Sequence, residues 1–345
     1  MTRPGHGQRL RVGVVGCGVI GRKRAEALDG DELVACCDLN GAVAEALACD
    51  YGATPTIELE HLLEHRLDVV VVAVTHDQLA AVACSALAAG AHVLVEKPAG
   101  IGTADVDRIG RAARAAGRRA KVGFNHRFHP GIARTLAEAR SGRFGDVMFV
   151  RARYGHGGRI GYEREWRMRP ELSGGGELTD QGMHLLDLFH ELLGPLPLAS
   201  ALLRTQFWSS PVEDNAVLVL GEPEATDGAW GTFHVSWTEW KNLFSLEVYC
   251  RTAKLRVEGL TGSYGTQRLW RYEMRPELGP PDIEEIAYAP GDPSWVEEWR
   301  HLREAVRAED NRPLLGDLHS ARYAWACVEE AYARCGYPRL STASR

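Results

Sequence analysis

Along the first 124 residues, short apolar runs alternate with stretches whose apolar residues recur at helical spacing. Residues 10–15, 33–37, 69–74, 93–95 and 122–124 read as strands, and the β-branched run at 69–74 is of the kind buried on both faces of a sheet. Residues 19–28, 42–48, 80–89 and 103–116 read as helices, with Thr103 placed to cap the last of them. Gly90 and Gly117 stand where a left-handed residue ends a helix. Strands alternating with helices of about ten residues predict βαβ units and a parallel, doubly wound sheet.

After Asn125 the pattern changes. A helix over 131–139 leads to a strand over 147–154, an irregular stretch over 155–175 and a striped helix over 177–193. Strand-like runs follow at 199–208, 216–220, 229–237, 244–249 and 255–257, and helices at 295–307 and 316–335 close the chain. Consecutive strands without intervening helices predict a large, mostly antiparallel sheet. The fold class expected is therefore α/β in two domains: a doubly wound domain over 1–124 and an α/β domain over 125–345. A length of 345 residues suits two domains.

Hydrophobic residues at 45% and charged residues at 25% are those of a globular protein, and a net charge of -6 argues against a nucleic-acid binder that works through a broad basic face. The longest apolar run, 69–74, is too short to span a membrane. The opening MTRPGHGQ lacks the apolar core of a secretory signal or anchor. None of the eight cysteines forms a CxxC pair or zinc spacing, so no metal site is expected, and a reduced, cytoplasmic protein is the simplest reading. Five lysines stand against thirty-five arginines, a skew that a GC-rich genome writes and that makes any lysine in a motif worth questioning.

Gly16-Cys17-Gly18-Val19-Ile20-Gly21 is a GxGxxG loop after the first strand and at the start of the first helix. Gly16 permits the turn, Gly18 admits a pyrophosphate to the backbone, and Gly21 lets helix and strand pack closely. The amides of the helix start, at Val19 and Ile20, are the natural phosphate donors. Asp38, at the end of the second strand, suits the ribose hydroxyls of NAD, and Leu39 and Asn40 offer no cation for the extra phosphate of NADP. NAD is the cofactor expected.

Glu96-Lys97-Pro98 at the end of a strand, and Gly174-Gly175-Gly176-Glu177-Leu178-Thr179-Asp180-Gln181-Gly182-Met183-His184 in the second domain, accompany this loop. In that order and spacing the chain resembles the Gfo/Idh/MocA family of sugar and cyclitol dehydrogenases. The resemblance implies a Rossmann domain followed by an α/β domain whose open sheet mediates assembly, hence a homodimer or homotetramer. It also implies that Glu96 and Lys97, with the loop Thr75-His76, line the cofactor site. Two departures stand out. Leu79 occupies the place of a histidine common in that loop, and Cys250-Arg251-Thr252-Ala253-Lys254 replaces a glycine-rich turn.

Oxidising a secondary alcohol needs a hydride acceptor, a base for the hydroxyl proton and a group that stabilises the developing oxyanion. His184 has the right ordinary proton affinity. Asp180, four residues earlier on a predicted helix, would share its face and steady its cation. Lys97 lies at the carboxyl edge of a parallel strand, where doubly wound sheets bind ligands. Each residue alone has a plain structural reading, and the three together behind a nucleotide loop favour catalysis; the resemblance assigns catalysis to the same three. His190, six residues past His184, faces elsewhere and makes no metal set with them. The stretch 153–167 mixes rings, arginines and carboxylates, as a site for a hydroxyl-rich ligand would, and His156, Tyr162, Trp166 and Arg167 are its candidates, with Arg127 added by resemblance. The substrate expected is a carbohydrate or aminocyclitol. The GC-rich composition fits an actinomycete-like source, where such dehydrogenases often serve aminoglycoside and other glycoside antibiotic pathways. Three alternatives remain open: a keto (nucleotide) sugar reductase, elimination through a transient ketone on retained NAD, and a non-catalytic NAD-binding sensor.

Overall fold

In the computed structural model the described residues are 9–308 and 314–337, so the opening MTRPGHGQ run lies outside them. They divide into two compact units, Met1–Asn125 with Ser294–Arg322, and His126–Pro293 with Tyr323–Arg345.

The first unit runs β1 (Arg11–Val15), α1 (Val19–Glu26), β2 (Glu32–Cys37), α2 (Gly41–Tyr51), β3 (Thr54–Thr56), α3 (Leu59–Leu63), β4 (Val69–Val72), α4 (His76–Ala88), β5 (His92–Glu96), α5 (Thr103–Ala116) and β6 (Ala120–Gly123). Its six strands are parallel in the order β3-β2-β1-β4-β5-β6, the doubly wound arrangement expected. The direction of winding reverses between β1 and β4, which opens a crevice at their carboxyl ends. All four valines of β4 are fully buried, as a central parallel strand requires. The pair β3 and α3 was not predicted. Pro55 and the brevity of β3 remove the usual strand pattern, and Pro55 is tolerated because β3 is an edge strand. Gly102, not Thr103, is the N-cap of α5, while Gly117 takes the left-handed conformation at its end.

The second unit begins with α6 (Pro130–Arg140), β7 (Val147–Gly155), the one-turn α7 (Pro170–Ser173) and α8 (Met183–Leu193). Strands β8 (Leu198–Arg204), β9 (Asn215–Leu220), β10 (Trp230–Ser236), β11 (Leu243–Cys250), β12 (Ala253–Glu258), β13 (Arg268–Glu273) and β14 (Asp282–Ala287) follow. With β7 they form an eight-stranded sheet in the order β14-β13-β12-β11-β7-β10-β9-β8, antiparallel except between β7 and β10. Burial alternates along β9, β10 and β12, so one face is packed and the other is open. Strands β13 and β14, the last two at one end of the sheet, escaped prediction because they carry charge on nearly every second residue.

Helix α9 (Ser294–Arg307) packs into the first unit, where Trp299, Leu302 and Val306 join the core built on β1, β2 and β4. Helix α10 (Leu318–Cys335) supplies residues from Tyr323 onward to the second unit.

Candidate active site

The first unit gathers its candidates along the carboxyl edge of its sheet. Gly16 takes φ +87°, and a Cβ there would lie 2.6 Å from the carbonyl carbon of Ala73, so β1 and the loop after β4 close on each other only because position 16 is glycine. At Gly21 a Cβ would strike the Gly16 carbonyl oxygen, whereas at Gly18 it would meet nothing within 4 Å. The glycine loop is thus tight where helix meets strand and open where a ligand would approach. The first turn of α1 has neither a capping side chain nor an acid, which leaves its positive end to an anion. Asp38 accepts from the Cys17 amide at 2.8 Å and from the Asn40 amide at 2.9 Å, which ties the second strand's acid to the loop. This set fits a dinucleotide: an open glycine at a helix start with a carboxylate beside it.

Helix α4 starts four residues earlier than predicted, so Thr75 is its N-cap and His76 its first residue. The Thr75 hydroxyl donates to Asp77 at 2.7 Å, an interaction that draws the start back to the end of β4. Glu96, the last residue of β5, is held by a buried charge network. Arg24 Nε donates to Glu96 at 2.6 Å and Arg24 Nη1 to Glu298 at 2.6 Å, and Lys121 Nζ lies 3.2 Å from Glu298. Two cations face two carboxylates, so the network is neutral and its burial affordable. Burial pushes the Glu96 carboxyl up, against the pull of Arg24. Lys97 follows directly, joined to Pro98 by a cis peptide bond.

In the second unit the helix predicted over 177–193 opens as a π-helical segment, Leu178–Gly182, before α8 continues it. Such wide turns recur at functional sites. Its amino end is held by Glu213, fully buried in the connection between β8 and β9. The Glu213 carboxylate accepts from the amides of Gly176 (3.2 Å) and Leu178 (2.9 Å) and from the Tyr332 hydroxyl (2.8 Å), while its carbonyl accepts from the Glu177 amide at 3.0 Å. A Cβ at Gly176 would lie 2.7 Å from that carboxylate, so the glycine run makes room for the clamp. Burial pushes Glu213 up to about 7, although its hydrogen bonds pull the other way.

Asp180 and His184, 9% and 6% exposed, lie on this segment and on α8. Arg167 Nε stands 3.2 Å from Asp180, with its guanidinium over the Trp166 ring at 4.7 Å. His184 is stacked on His126, ring centres 3.8 Å apart and planes 20° apart, and His126 in turn lies 5.2 Å from the Tyr154 ring. The structure thus brings Asp180, Arg167 and Trp166 together, and sets His184 in a nest of rings.

Two expected substrate residues sit differently. Arg127 is buried in a bidentate pair with Asp187 of α8, at 2.6 and 2.7 Å, and also pairs with Glu191, so it braces the helix. Tyr162 is packed in a cluster with Met168, Trp208, Val212 and Trp237. Burial holds its proton on, aided by the charge of Asp180. His156 is partly exposed, packs edge-on to Tyr162, and accepts from the Gly158 amide at 2.9 Å. His190, as expected, points away, and stacks on Tyr323 at 4.7 Å.

Three residues carry more of the site than their local sequence suggests. His126 lies in the Asn125-His126-Arg127 run, but nothing local places it on His184. Glu213 has no motif. Arg24 had a signal: an arginine on the face of α1 that must meet the sheet. Among the described residues no group of three His, Cys, Asp or Glu could hold a metal, and no helix is long and apolar enough to cross a membrane.

Comparison with known proteins agrees with this layout. Residues 10–124 match the oxidoreductase family with an NAD-binding Rossmann fold, and residues 133–256 match the GFO/IDH/MocA C-terminal domain. An inositol 2-dehydrogenase of Gluconacetobacter diazotrophicus is 34% identical over 192 residues, 53% of this chain and 54% of that protein. A D-glucoside 3-dehydrogenase of Escherichia coli is 31% identical over 193 residues, 54% of each. The chain therefore spans about half the length of the curated relatives it matches. Among solved structures, GenD2 from gentamicin A biosynthesis, in complex with NAD, superimposes with a TM-score of 0.80 at 26% identity over 97% of both chains. With both domain families matched in order along one chain, the protein belongs to the Gfo/Idh/MocA oxidoreductase family.

Proposed function

We propose that the protein is an NAD-dependent dehydrogenase that oxidises one secondary hydroxyl of a sugar, cyclitol or aminosugar-containing compound to a ketone. The observation that carries this reading is the buried pair Asp180 and His184 on a π-turned helix start, in a chain whose other domain is an NAD-binding Rossmann domain.

Gly16, Gly18, Val19, Ile20, Gly21 and Asp38 would hold the adenosine and phosphate end of NAD, and Thr75, His76, Glu96 and Lys97 the nicotinamide end. Bound NAD supplies the hydride acceptor. His184 takes the proton from the reacting hydroxyl, and Asp180 stabilises the imidazolium that results. Arg167 fixes Asp180, and Lys97 donates a hydrogen bond to the oxygen as its charge develops. His156 and Trp166 are the ring-bearing side chains that we assign to the substrate. Among hydroxyl-rich compounds an aminosugar or aminocyclitol comes first, on the end-to-end likeness to GenD2. That likeness also favours a place in glycoside antibiotic biosynthesis.

We also propose a homo-oligomer formed through the open face of the eight-stranded sheet. Phe149 stacks there between Trp230 and Tyr249, with ring centres at 5.0 and 4.1 Å. Light scattering of Trp230→Lys tests this, and an unchanged mass sinks it.

The function is tested by titrating purified protein with NAD(H) and NADP(H), then screening sugars, inositols and aminocyclitols for NADH formation with wild type, Lys97→Met and His184→Asn. Turnover should fall by about 100- to 10,000-fold in either variant while NAD still binds. Absence of nucleotide binding refutes the reading. Binding without any turnover, unaltered in the variants, leaves a sensor.

A further inference from the structure

The second unit exposes two large rings side by side that the chemistry above does not use. Trp240 is 67% exposed and Phe207 58% exposed, and they meet edge to face with ring centres 4.7 Å apart. Exposed aromatic pairs are worth explaining, because single exposed apolar residues are common but built platforms are not.

This platform is built. Asp214, fully buried, accepts from the amides of Gln206 (2.9 Å), Phe207 (2.8 Å) and Trp208 (3.0 Å), which locks the turn that presents Phe207. Trp208 Nε1 donates to the Trp237 carbonyl at 3.0 Å beneath it. Gly157 lies against Trp240, where a Cβ would come within 3.0 Å of the Trp240 Cα. The rings therefore stand out from a fixed scaffold.

The platform adjoins the candidate site through two connections. Glu213 clamps the turn that carries Asp180, and its neighbour Asp214 clamps the turn that carries Phe207. The loop that touches Trp240 at Gly157 reaches Asp180 at its far end, through the ion pairs Arg159–Glu165, Glu165–Arg167 and Arg167–Asp180.

We propose that Trp240 and Phe207 form an outer subsite that stacks a second sugar or aminocyclitol ring, glycosidically linked to the ring that is oxidised. The substrate class is then a glycoside of at least two rings. This deepens the functional reading above and rests on it. The apolar face of a pyranose or cyclitol matches an indole face, and the neighbouring polar groups of Glu239, Lys241 and Asn242 suit its hydroxyl or amino rim. A second copy of the chain is the poorer occupant. Two rings are far less than the roughly 800 Å² per partner of a stable interface. The flat stacked face of Phe149 and Trp230 is paired six residues further along β7 and β10 from Gly155 and Ser236, about 20 Å away.

The test is calorimetric titration of the full-chain protein saturated with NAD, using one-ring and two-ring probe pairs: glucose against maltose, and 2-deoxystreptamine against neamine. Wild type should bind at least one two-ring probe roughly 5- to 10-fold tighter than its one-ring partner. Trp240→Ala and Phe207→Ala should erase that advantage and leave the one-ring probe unchanged. Equal affinities within both pairs, or an advantage that survives in Trp240→Ala, overturns the subsite. So does a change of mass by light scattering in Trp240→Ala with probe binding intact, which makes the platform a contact between copies. NADH formation read on the same samples separates the two ideas. A ring advantage without NADH keeps the subsite and removes the dehydrogenase; NADH formed equally by wild type and Trp240→Ala from both members of a pair does the reverse.

Discussion

Replacing Glu213 by glutamine should cost stability in acid and much less in base. In the folded protein the carboxyl lies near 7 instead of 4.5, mainly because it is fully buried. A raised carboxyl favours the folded state in full below about pH 4.5, and that benefit is lost as pH climbs from there to about 7. At 1.36 kcal/mol per pH unit the displacement is worth about 3 kcal/mol. Glutamine never ionises and escapes this loss. It cannot, however, reproduce both oxygens. One accepts from Gly176 and Tyr332 and the other from Leu178, so the amide nitrogen must face at least one N–H or O–H donor. A buried donor left facing a donor costs about 1–3 kcal/mol at every pH. Thermal melts of wild type and Glu213→Gln should therefore differ by about 2–10 °C near pH 5, at about 2–4 °C per kcal/mol. The gap should shrink steadily between about pH 4.5 and 7, reach parity or reverse near pH 7, and change little beyond it. A gap that stays constant or widens between about pH 5 and 7 refutes the reasoning: three donors would then outweigh burial, and Glu213 would be a settled carboxylate.

Arg24→Met removes one of the two cations between Glu96 and Glu298 and should cost about 3–5 kcal/mol in a melt, more in base than in acid because Glu96 is pushed further up. A loss below about 1 kcal/mol would show that the network is solvated. Gly21→Ala drives a methyl into the Gly16 carbonyl and should abolish NAD binding in a titration, whereas Gly18→Ala, with open space around it, should fold normally and lose affinity only for nucleotide. Asp38→Ala removes the acceptor of the Cys17 and Asn40 amides and should weaken NAD by about tenfold or more while improving NADP relative to it; an unchanged preference contradicts the role assigned to Asp38.

The parallel sheet was legible because its strands are buried on both faces, so apolar runs such as 69–72 need no partner to be recognised. The glycine loop was legible for a similar reason: Gly16 and Gly21 answer steric demands set by residues a few positions away or one strand over. What was not legible depends on distant partners. Strand β14 is an edge strand, and the charges it shares with β13, Arg268 with Glu285 and Arg271 with Glu284, pair across the ladder, so the apolar pattern of both is thin. The π-turn under Asp180 depends on Glu213, more than thirty residues later, and on Tyr332 near the end of the chain. Helical spacing alone predicts a regular helix there. Tyr162 reads as a ligand group because rings in such a stretch often are, and Arg127 because the family resemblance implies it. Only the buried Asp187 and the ring cluster around Trp237 reveal that these two are spoken for.

Helix α9 has a consequence for how the protein is made. The first unit is not contiguous in the chain: Ser294–Arg322 completes what Met1–Asn125 begins. Until Glu298 is synthesised, Arg24 and Lys121 lack the carboxylate that both of them face, and the places of Trp299, Leu302 and Val306 in the core stay empty. At elongation rates of about 5–20 residues per second, that wait is roughly 10–35 s after the sixth strand is made. The nucleotide domain comes first in sequence but is finished late, and a polypeptide ending near residue 125 would lack Glu298 opposite Arg24 and hold an open core. Expression of the Rossmann half alone should give insoluble or rapidly degraded chains, and supplying residues 294–322 on a linker should restore a folded domain. The order of genetic fusion, truncation and tag placement in this protein is thus set by one returning helix.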